Sequence, residues 1–243
     1  QRESLGQRLV TPALIDCHTH LIFGGNRAHE FEMRMNGATY EEISNAGGGI
    51  NSTVEATRLA SDEELIQGAL RRIDDLISEG VAVIEIKSGY GLTIGHELRM
   101  LRIARHLESL RPVKIMTTWL AAHSAPKEFE HRLDDYIDQI AIPGLRQAAK
   151  EGLVDAVDGF CETIAFSPSQ IDRLFNAAQS LNLPVKLHAE QLSNQNGALL
   201  VAKYNGLSAD HLEYLSVEDV KEFSKSNAVA VMLPGAFYTL KET

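Results

Sequence analysis

The sequence has few cysteines and a deficit of basic residues. Its two cysteines, Cys17 and Cys161, form no C-x-x-C pair, which argues against a disulfide scaffold and fits a reducing, cytoplasmic compartment. It has 23 Lys and Arg against 33 Asp and Glu, for a net charge of −10. Binding to a nucleic-acid backbone needs clustered positive charge, so this composition excludes a general nucleic-acid binder.

Long hydrophobic runs are also missing. The run VAVIEI at 81–86 is one of the longest, and it is far shorter than the roughly 20 residues that span a bilayer. The first residues show no basic-then-apolar signal pattern. Hydrophobic residues make up 44% and charged residues 23% of the chain, which is the balance of a soluble globular protein without membrane contact.

Short runs rich in β-branched residues alternate with longer amphipathic segments, a pattern typical of repeated βα units. Seven runs are predicted to be strands: 13–18, 81–88, 113–123, 154–162, 184–190, 207–213 and 228–235. Seven βα units in a row favour a (β/α)₈ barrel, also called a TIM barrel, over an open doubly wound sheet. No linker divides the chain, so we expect one barrel domain over 1–243, incomplete because the eighth strand is missing, and therefore a fragment of a longer protein.

Two helices carry strong start signals. Ser61 and Glu64 form a capping-box pattern before an apolar stripe, and Ser167, Pro168 and Gln170 open a second helix in the same way. Further helices are predicted at 96–109, 128–140, 144–151, 194–204 and 216–225. The stretch NAGGGINST at 45–53 lacks the spacing of a phosphate-binding loop, and we expect it to be a loop over the site.

Histidines recur at the ends of the predicted strands. His18 and His20 follow the first strand and point to one face, because side chains alternate along a strand. His123, His188 and His211 fall at or near the ends of the third, fifth and sixth strands, where catalytic groups of such barrels lie. A single histidine is more often a hydrogen-bonded core residue, but His18, His20 and His188 together offer three nitrogen ligands. This set suits one Zn²⁺, with iron as an alternative, and predicts hydrolysis by activated water.

The segment PALIDCHTHLIFGG at 12–25 resembles the metal-binding signature of the amidohydrolase superfamily, whose fold is a distorted (β/α)₈ barrel flanked by a small β-sandwich. The segments EIKSGYGLTIGHELRML at 85–101, LHAEQLSNQNGA at 187–198 and SADHLE at 208–213 are similar, more narrowly, to the imidazolonepropionase family. This resemblance implies metal-dependent, hydrolytic ring opening of 4-imidazolone-5-propanoate to N-formimidoyl-L-glutamate in histidine degradation.

The resemblance also implies ligand roles. His18, His20 and His188 match the metal ligands, while a fourth ligand, an aspartate after an eighth strand, is not in this sequence. Arg27 and Tyr40 match positions that hold the propanoate carboxylate, a task suited to an arginine fork and a hydroxyl. Tyr90 and His123 match positions that contact the imidazolone ring. Family practice further suggests a homodimer.

The sequence offers more than one group for proton transfer. His211 matches a histidine that polarises the attacked carbonyl or assists proton transfer. Related cyclic deaminases have a proton-carrying glutamate where this chain has Gln191, and an amide cannot transfer protons. We therefore expect Gln191 to hydrogen-bond the ring, and either His211 or the aspartate that is not in this sequence to move the proton. Glu190 is a second candidate for catalysis if the strand has already turned there.

Three alternatives remain. The first is another cyclic amidohydrolase or deaminase on the same barrel, which would not need Arg27 and Tyr40 for a carboxylate. The second is a catalytically inactive metal-binding barrel. The third is a generic α/β domain whose histidines are all structural, which predicts no stoichiometric metal.

Overall fold

The computed structural model describes residues 4–37 and 48–240. Its strands form one sheet in which neighbours in the chain pair side by side and in parallel. They are β1 (Leu14–Asp16), β2 (Val81–Lys87), β3 (Lys114–Ala122), β4 (Ala156–Cys161), β5 (Lys186–Ala189), β6 (Ser208–His211) and β7 (Val229–Val231). This is the curled, parallel sheet of an incomplete (β/α)₈ barrel, and all carboxyl ends of its strands open to one side.

Helices connect the strands. They are α1 (Ala28–Met35), α2 (Ile50–Leu59), α3 (Asp62–Ser78), α4 (Ile94–Leu110), α5 (Leu133–Tyr136), α6 (Ile142–Lys150), α7 (Pro168–Ser180), α8 (Gly197–Lys203), α9 (Val217–Phe223) and α10 (Pro234–Leu240). A π-helical turn, Ile137–Ala141, joins α5 to α6. Within the described ranges, no helix is both long and apolar enough to cross a membrane.

All seven predicted strands are confirmed, and each is shorter than predicted. The largest difference is at the last run, predicted over 228–235, where the strand ends at Val231 and α10 begins at Pro234. Proline has no backbone N–H for a sheet ladder but fits the first position of a helix, so the strand stops before it.

Both predicted capping boxes are present, at Ser61 before α3 and at Ser167 before α7. The loop predicted over 45–53 is wrong in its last part, because α2 begins at Ile50. Gly49 precedes this helix with φ +80°, a conformation that glycine adopts freely, and no side chain caps the helix start. Because glycines precede this helix in place of a capping side chain, the sequence gives no signal for its start. Residues 45–47 lie outside the described part of the chain.

The apolar core lies between the outer face of the sheet and the helices. One cluster packs α4 to α9 against β3 to β6 around Trp119, Tyr136 and Phe175. A second packs α3 and α4 against β2 and β3 around Ile73 and Ile84. At the amino ends of the strands, a cavity of about 430 Å³ is lined mainly by apolar side chains such as Val83, Met116 and Val229, together with Glu85 and Lys186. The carboxyl ends carry polar and aromatic groups instead, and the candidate site lies there.

Candidate metal and active site

Three histidines meet at the carboxyl ends of β1 and β5. His18 and His20 follow β1, His188 lies in β5, and one ring nitrogen from each lies within 4.8 Å of the other two. The Nε2 atoms of His20 and His188 face each other at 3.1 Å. Zinc–nitrogen bonds are about 2.0–2.1 Å long, so two imidazole nitrogens at this separation are close enough to bind the same cation.

Buried carboxylates orient two of these three rings. The Nδ1 atom of His18 lies 2.6 Å from Oδ2 of Asp210, and Nδ1 of His188 lies 3.1 Å from Oδ2 of Asp158. A histidine that donates its Nδ1 proton to a carboxylate keeps Nε2 as a lone-pair donor, which is the usual arrangement around a metal. The three histidines therefore fit a single divalent cation.

Burial keeps the cluster uncharged. Burial, reinforced by the nearby Lys87 ammonium, lowers the pKa of His18 to about 2. It also lowers the pKa of His20 and of His188 well below the ordinary value, although Asp158 opposes the shift at His188. The rings are thus neutral at neutral pH, the form that binds metal ions.

A buried ion network lies directly beneath the histidines. The ammonium of Lys87 is 2.7 Å from carboxylate oxygens of both Glu85 and Asp158, and Lys186 is 3.3 Å from Glu85 and 3.6 Å from Asp210. Burial alone would lower the pKa of Lys87, but the carboxylates outweigh it and raise the pKa. Asp158 and Asp210 therefore meet positive charge on one side and a candidate metal ligand on the other.

The sequence reasoning missed this network. Its signal is nevertheless visible in β2, where Glu85 and Lys87 occupy alternate positions of an otherwise apolar strand. Alternation places both on one face, and charged side chains on the inner face of a barrel need partners to be buried.

His211 lies beside the cluster at the end of β6. Its ring centroid is 5.4 Å from that of His188 and 5.6 Å from that of His18. Its φ is +86°, a backbone conformation unusual for a residue with a side chain and frequent at functional sites. Burial lowers the pKa of His211 to about 4. Its buried Nδ1 makes no hydrogen bond to any residue that the structure describes, but lies 3.7 Å from Oε1 of Glu213.

Tyr90 and His123 form an aromatic wall next to the histidines. Their ring centroids are 5.3 Å apart, and His20 is stacked on His123 at 4.9 Å. Nδ1 of His123 donates a hydrogen bond to the carbonyl of Gly89 at 3.0 Å.

Arg27 precedes α1, and its Nε donates a hydrogen bond to Thr53 of α2 at 2.9 Å. The positive charge of Arg27 acts on both residues of the aromatic wall. Burial raises the pKa of Tyr90, and Arg27 opposes this shift. Burial lowers the pKa of His123, and Arg27 adds to this shift. Tyr40 lies outside the described residues.

Glu190 and Gln191 follow β5, where the backbone has turned. Glu190 has φ +50°, and its buried carboxylate accepts hydrogen bonds from the backbone N–H groups of Gly197 and Ala198 at 2.6 and 2.9 Å. The carboxylate therefore caps the start of α8. Gln191 is the next residue and is partly exposed.

The chain is similar to curated proteins over nearly its whole length. The chain is 65% identical to an imidazolonepropionase of Agrobacterium fabrum over 237 residues, which is 98% of this chain and 57% of that protein. It is 63% identical to an imidazolonepropionase of Ruegeria pomeroyi over 239 residues, 98% of this chain and 60% of that protein. The chain thus spans about three fifths of the length of these curated relatives. No model of a protein family matches it.

Among solved structures, the 5-methylcytosine deaminase of Klebsiella pneumoniae liganded with phosphonocytosine superposes with a TM-score of 0.62 at 17% identity, covering 92% of this chain and 55% of that one. At this identity the likeness shows the fold alone. The parallel half-barrel with histidines at the carboxyl ends of its strands is that of an amidohydrolase-type (β/α)₈ barrel. Over the part of these relatives that it spans, the chain is similar to imidazolonepropionases at 63–65% identity.

Proposed function

We propose that the full-length protein hydrolyses 4-imidazolone-5-propanoate to N-formimidoyl-L-glutamate, a step of histidine degradation. The single observation that carries the proposal is the 65% identity to an imidazolonepropionase over 98% of the chain. The clustered histidines and the aromatic wall support it, because they supply a cation site and a surface for a planar ring side by side.

His18, His20 and His188 would hold one divalent metal, for which we propose Zn²⁺ over iron because all three ligands are imidazole nitrogens. When bound, the metal would supply a Lewis acid that activates water and polarises the ring carbonyl. Asp210 and Asp158 would orient two of the ligands through their Nδ1 atoms, as the distances of 2.6 and 3.1 Å allow.

We assign proton transfer to His211. Water adds to the ring carbonyl carbon, the bond from that carbon to the ring nitrogen breaks, and the leaving nitrogen takes up a proton. His211 is neutral because burial lowers its pKa to about 4. In this form it has a free ring nitrogen that would accept the proton of water and return it to the leaving nitrogen. Glu190 is the second candidate, but its carboxylate is engaged by Gly197 and Ala198, which favours His211.

The remaining residues would bind the substrate. Arg27, with Tyr40, would hold the propanoate carboxylate, because a guanidinium fork matches two carboxylate oxygens. Tyr90 and His123 would pack on the imidazolone ring, and Gln191 would hydrogen-bond its polar edge. These roles divide the site into a charged end for the tail and an aromatic end for the ring.

The test is substrate discrimination by the full-length protein. Three compounds are assayed: freshly generated imidazolone propanoate, guanine, and an imidazolone that lacks the propanoate. Turnover of imidazolone propanoate is measured by the loss of its ultraviolet absorbance. We expect turnover of the first, none of guanine, and at least a 100-fold lower kcat/KM without the tail. Turnover of guanine in preference to imidazolone propanoate would replace the proposal with a deaminase.

A further inference from the structure

One carboxylate organises the loop that leaves β2. Glu97, in the first turn of α4, is completely buried, and its side chain faces residues 88–92. Its Oε2 atom accepts a hydrogen bond from the backbone N–H of Gly89, and its Oε1 atom accepts from those of Gly91 and Leu92, all three at 2.7 Å. Short hydrogen bonds to a charged acceptor are about twice as strong as neutral ones.

The loop needs such support because its backbone is unusual. Leu92 is buried with φ +53°, a left-handed conformation that costs free energy for a residue with a Cβ and persists only where the surroundings impose it. Gly89 has φ +112°, and a Cβ on it would lie 3.0 Å from Nδ1 of His123. The Gly89 backbone therefore packs directly against that ring.

The same loop reaches the aromatic wall in two places. The carbonyl of Gly89 accepts the hydrogen bond from Nδ1 of His123 at 3.0 Å, which fixes the proton on Nδ1 and leaves Nε2 unprotonated in the neutral ring. Tyr90 is the next residue, with its ring centroid 5.7 Å from that of His20. Gly89 thus connects Glu97, through its N–H, to His123, through its carbonyl.

We propose that Glu97 is a positioning residue for the substrate ring: by holding residues 88–92, it fixes the placement of Tyr90 and the orientation of His123. This inference rests on the proposed function, because these two side chains are the ones assigned to the imidazolone ring. Glu97 acts on them only through the backbone of the loop.

A second hydrogen bond holds the loop, so the effect of altering Glu97 on the aromatic wall can be measured separately from an effect on folding. The Nε atom of Arg58 in α2 donates a hydrogen bond to the carbonyl of Gly91 at 2.7 Å, independently of Glu97. The loop therefore stays near its place when the carboxylate is altered. The expected defect is misalignment of Tyr90 and His123 rather than loss of the fold.

The test compares Glu97→Gln with Leu107→Ala in the full-length protein. The glutamine keeps the size of the side chain but turns an NH₂ group toward backbone N–H donors. Leu107 is buried in the same helix, ten residues or about 15 Å further along, so its truncation destabilises the helix without touching the loop. We expect Glu97→Gln to lower kcat/KM for imidazolone propanoate at least 10-fold with a raised KM, and to shift the ¹⁵N signals of the His123 ring. Leu107→Ala should lower the melting temperature, change kcat/KM by less than twofold and leave the ¹⁵N signals of the His123 ring unshifted.

The inference would be overturned if Glu97→Gln and Leu107→Ala lowered the melting temperature equally and also lost kcat/KM equally. It would also be overturned if the ¹⁵N signals of the His123 ring did not shift in Glu97→Gln. If the unaltered protein does not turn over imidazolone propanoate, the proposed function fails, and the His123 signal alone decides whether Glu97 positions the ring. If Glu97→Gln does not fold, Ser88→Ala removes the hydroxyl that donates to the Glu97 carboxylate. It should then produce a smaller change of the same readouts, and no change would count against the inference.

Discussion

The ammonium of Lys87 lies 2.7 Å from a carboxylate oxygen of Asp158, and both side chains are completely buried. Asp158 also lies 3.1 Å from Nδ1 of His188. The ion pair therefore supports a candidate metal ligand from beneath. A buried charge is tolerated when its partners neutralise it, and becomes costly when one partner is removed.

The first prediction concerns this pair. Lys87→Met should lower the free energy of unfolding by about 3–5 kcal/mol, because Asp158 and Glu85 lose their shared cation inside the protein. Urea unfolding of the full-length protein measures the loss.

Lys203→Met is the matched control. Lys203 pairs with Asp172 at 2.6 Å, but its side chain is 63% exposed, and solvent-exposed pairs contribute less than about 1 kcal/mol. Similar losses in Lys87→Met and Lys203→Met would contradict a structural role for the buried network.

The second prediction concerns the substrate carboxylate. Arg27→Met should mainly raise KM for imidazolone propanoate, with a loss of about 2–4 kcal/mol in transition-state binding if a desolvated charge pair is removed. Steady-state kinetics test this, with Arg146→Met in α6, where the side chain is exposed as that of Arg27 is, as control. An unchanged KM in Arg27→Met would remove this residue from the carboxylate role.

The third prediction separates proton transfer from metal binding. His211→Asn should depress kcat by about 10²–10⁴-fold, the range of general acid–base catalysis, while the metal content per chain stays unchanged. His188→Asn should lose metal and activity together. Equal losses of metal and kcat in the His211 variant would make His211 a ligand instead.

The fourth prediction is a pH dependence of stability. Partial burial would raise the pKa of Asp155, but hydrogen bonds from Arg105 and Thr117 outweigh it and hold the pKa below its ordinary value of 3.8. The contribution of the carboxylate is therefore present above pH 3.8 and disappears as the pH falls through the lowered pKa.

Asp155→Asn should accordingly cost about 1 kcal/mol at neutral pH, and the difference from the unaltered protein should shrink at pH values below about 4. Urea unfolding over a pH series measures it. A difference that does not change with pH would show that the charge of Asp155 contributes nothing.

The elements that the sequence predicted well have strong local signals. The strand positions follow from β-branched runs, and α3 and α7 follow from capping boxes at Ser61 and Ser167. The gathering of His18, His20 and His188 follows from a single topological fact, that the strands of a parallel barrel end at one face.

What the sequence did not predict depends on contacts between distant residues. The pairs of Lys87 with Asp158 and of His18 with Asp210 join residues 71 and 192 positions apart, and no local pattern specifies them. Glu97 looks like an ordinary acidic residue in the first turn of a helix. Its role becomes visible only when the loop folds over it. The start of α2 was hidden because glycines, rather than a capping side chain, precede it.

The most direct test of the account is the metal content of the full-length protein, measured together with turnover of imidazolone propanoate before and after removal and return of the metal. We expect about one divalent metal per chain, with zinc favoured, loss of turnover when a chelator removes it, and recovery when it is restored. A protein that binds no stoichiometric metal and leaves imidazolone propanoate intact would contradict it, and would make His18, His20 and His188 structural residues.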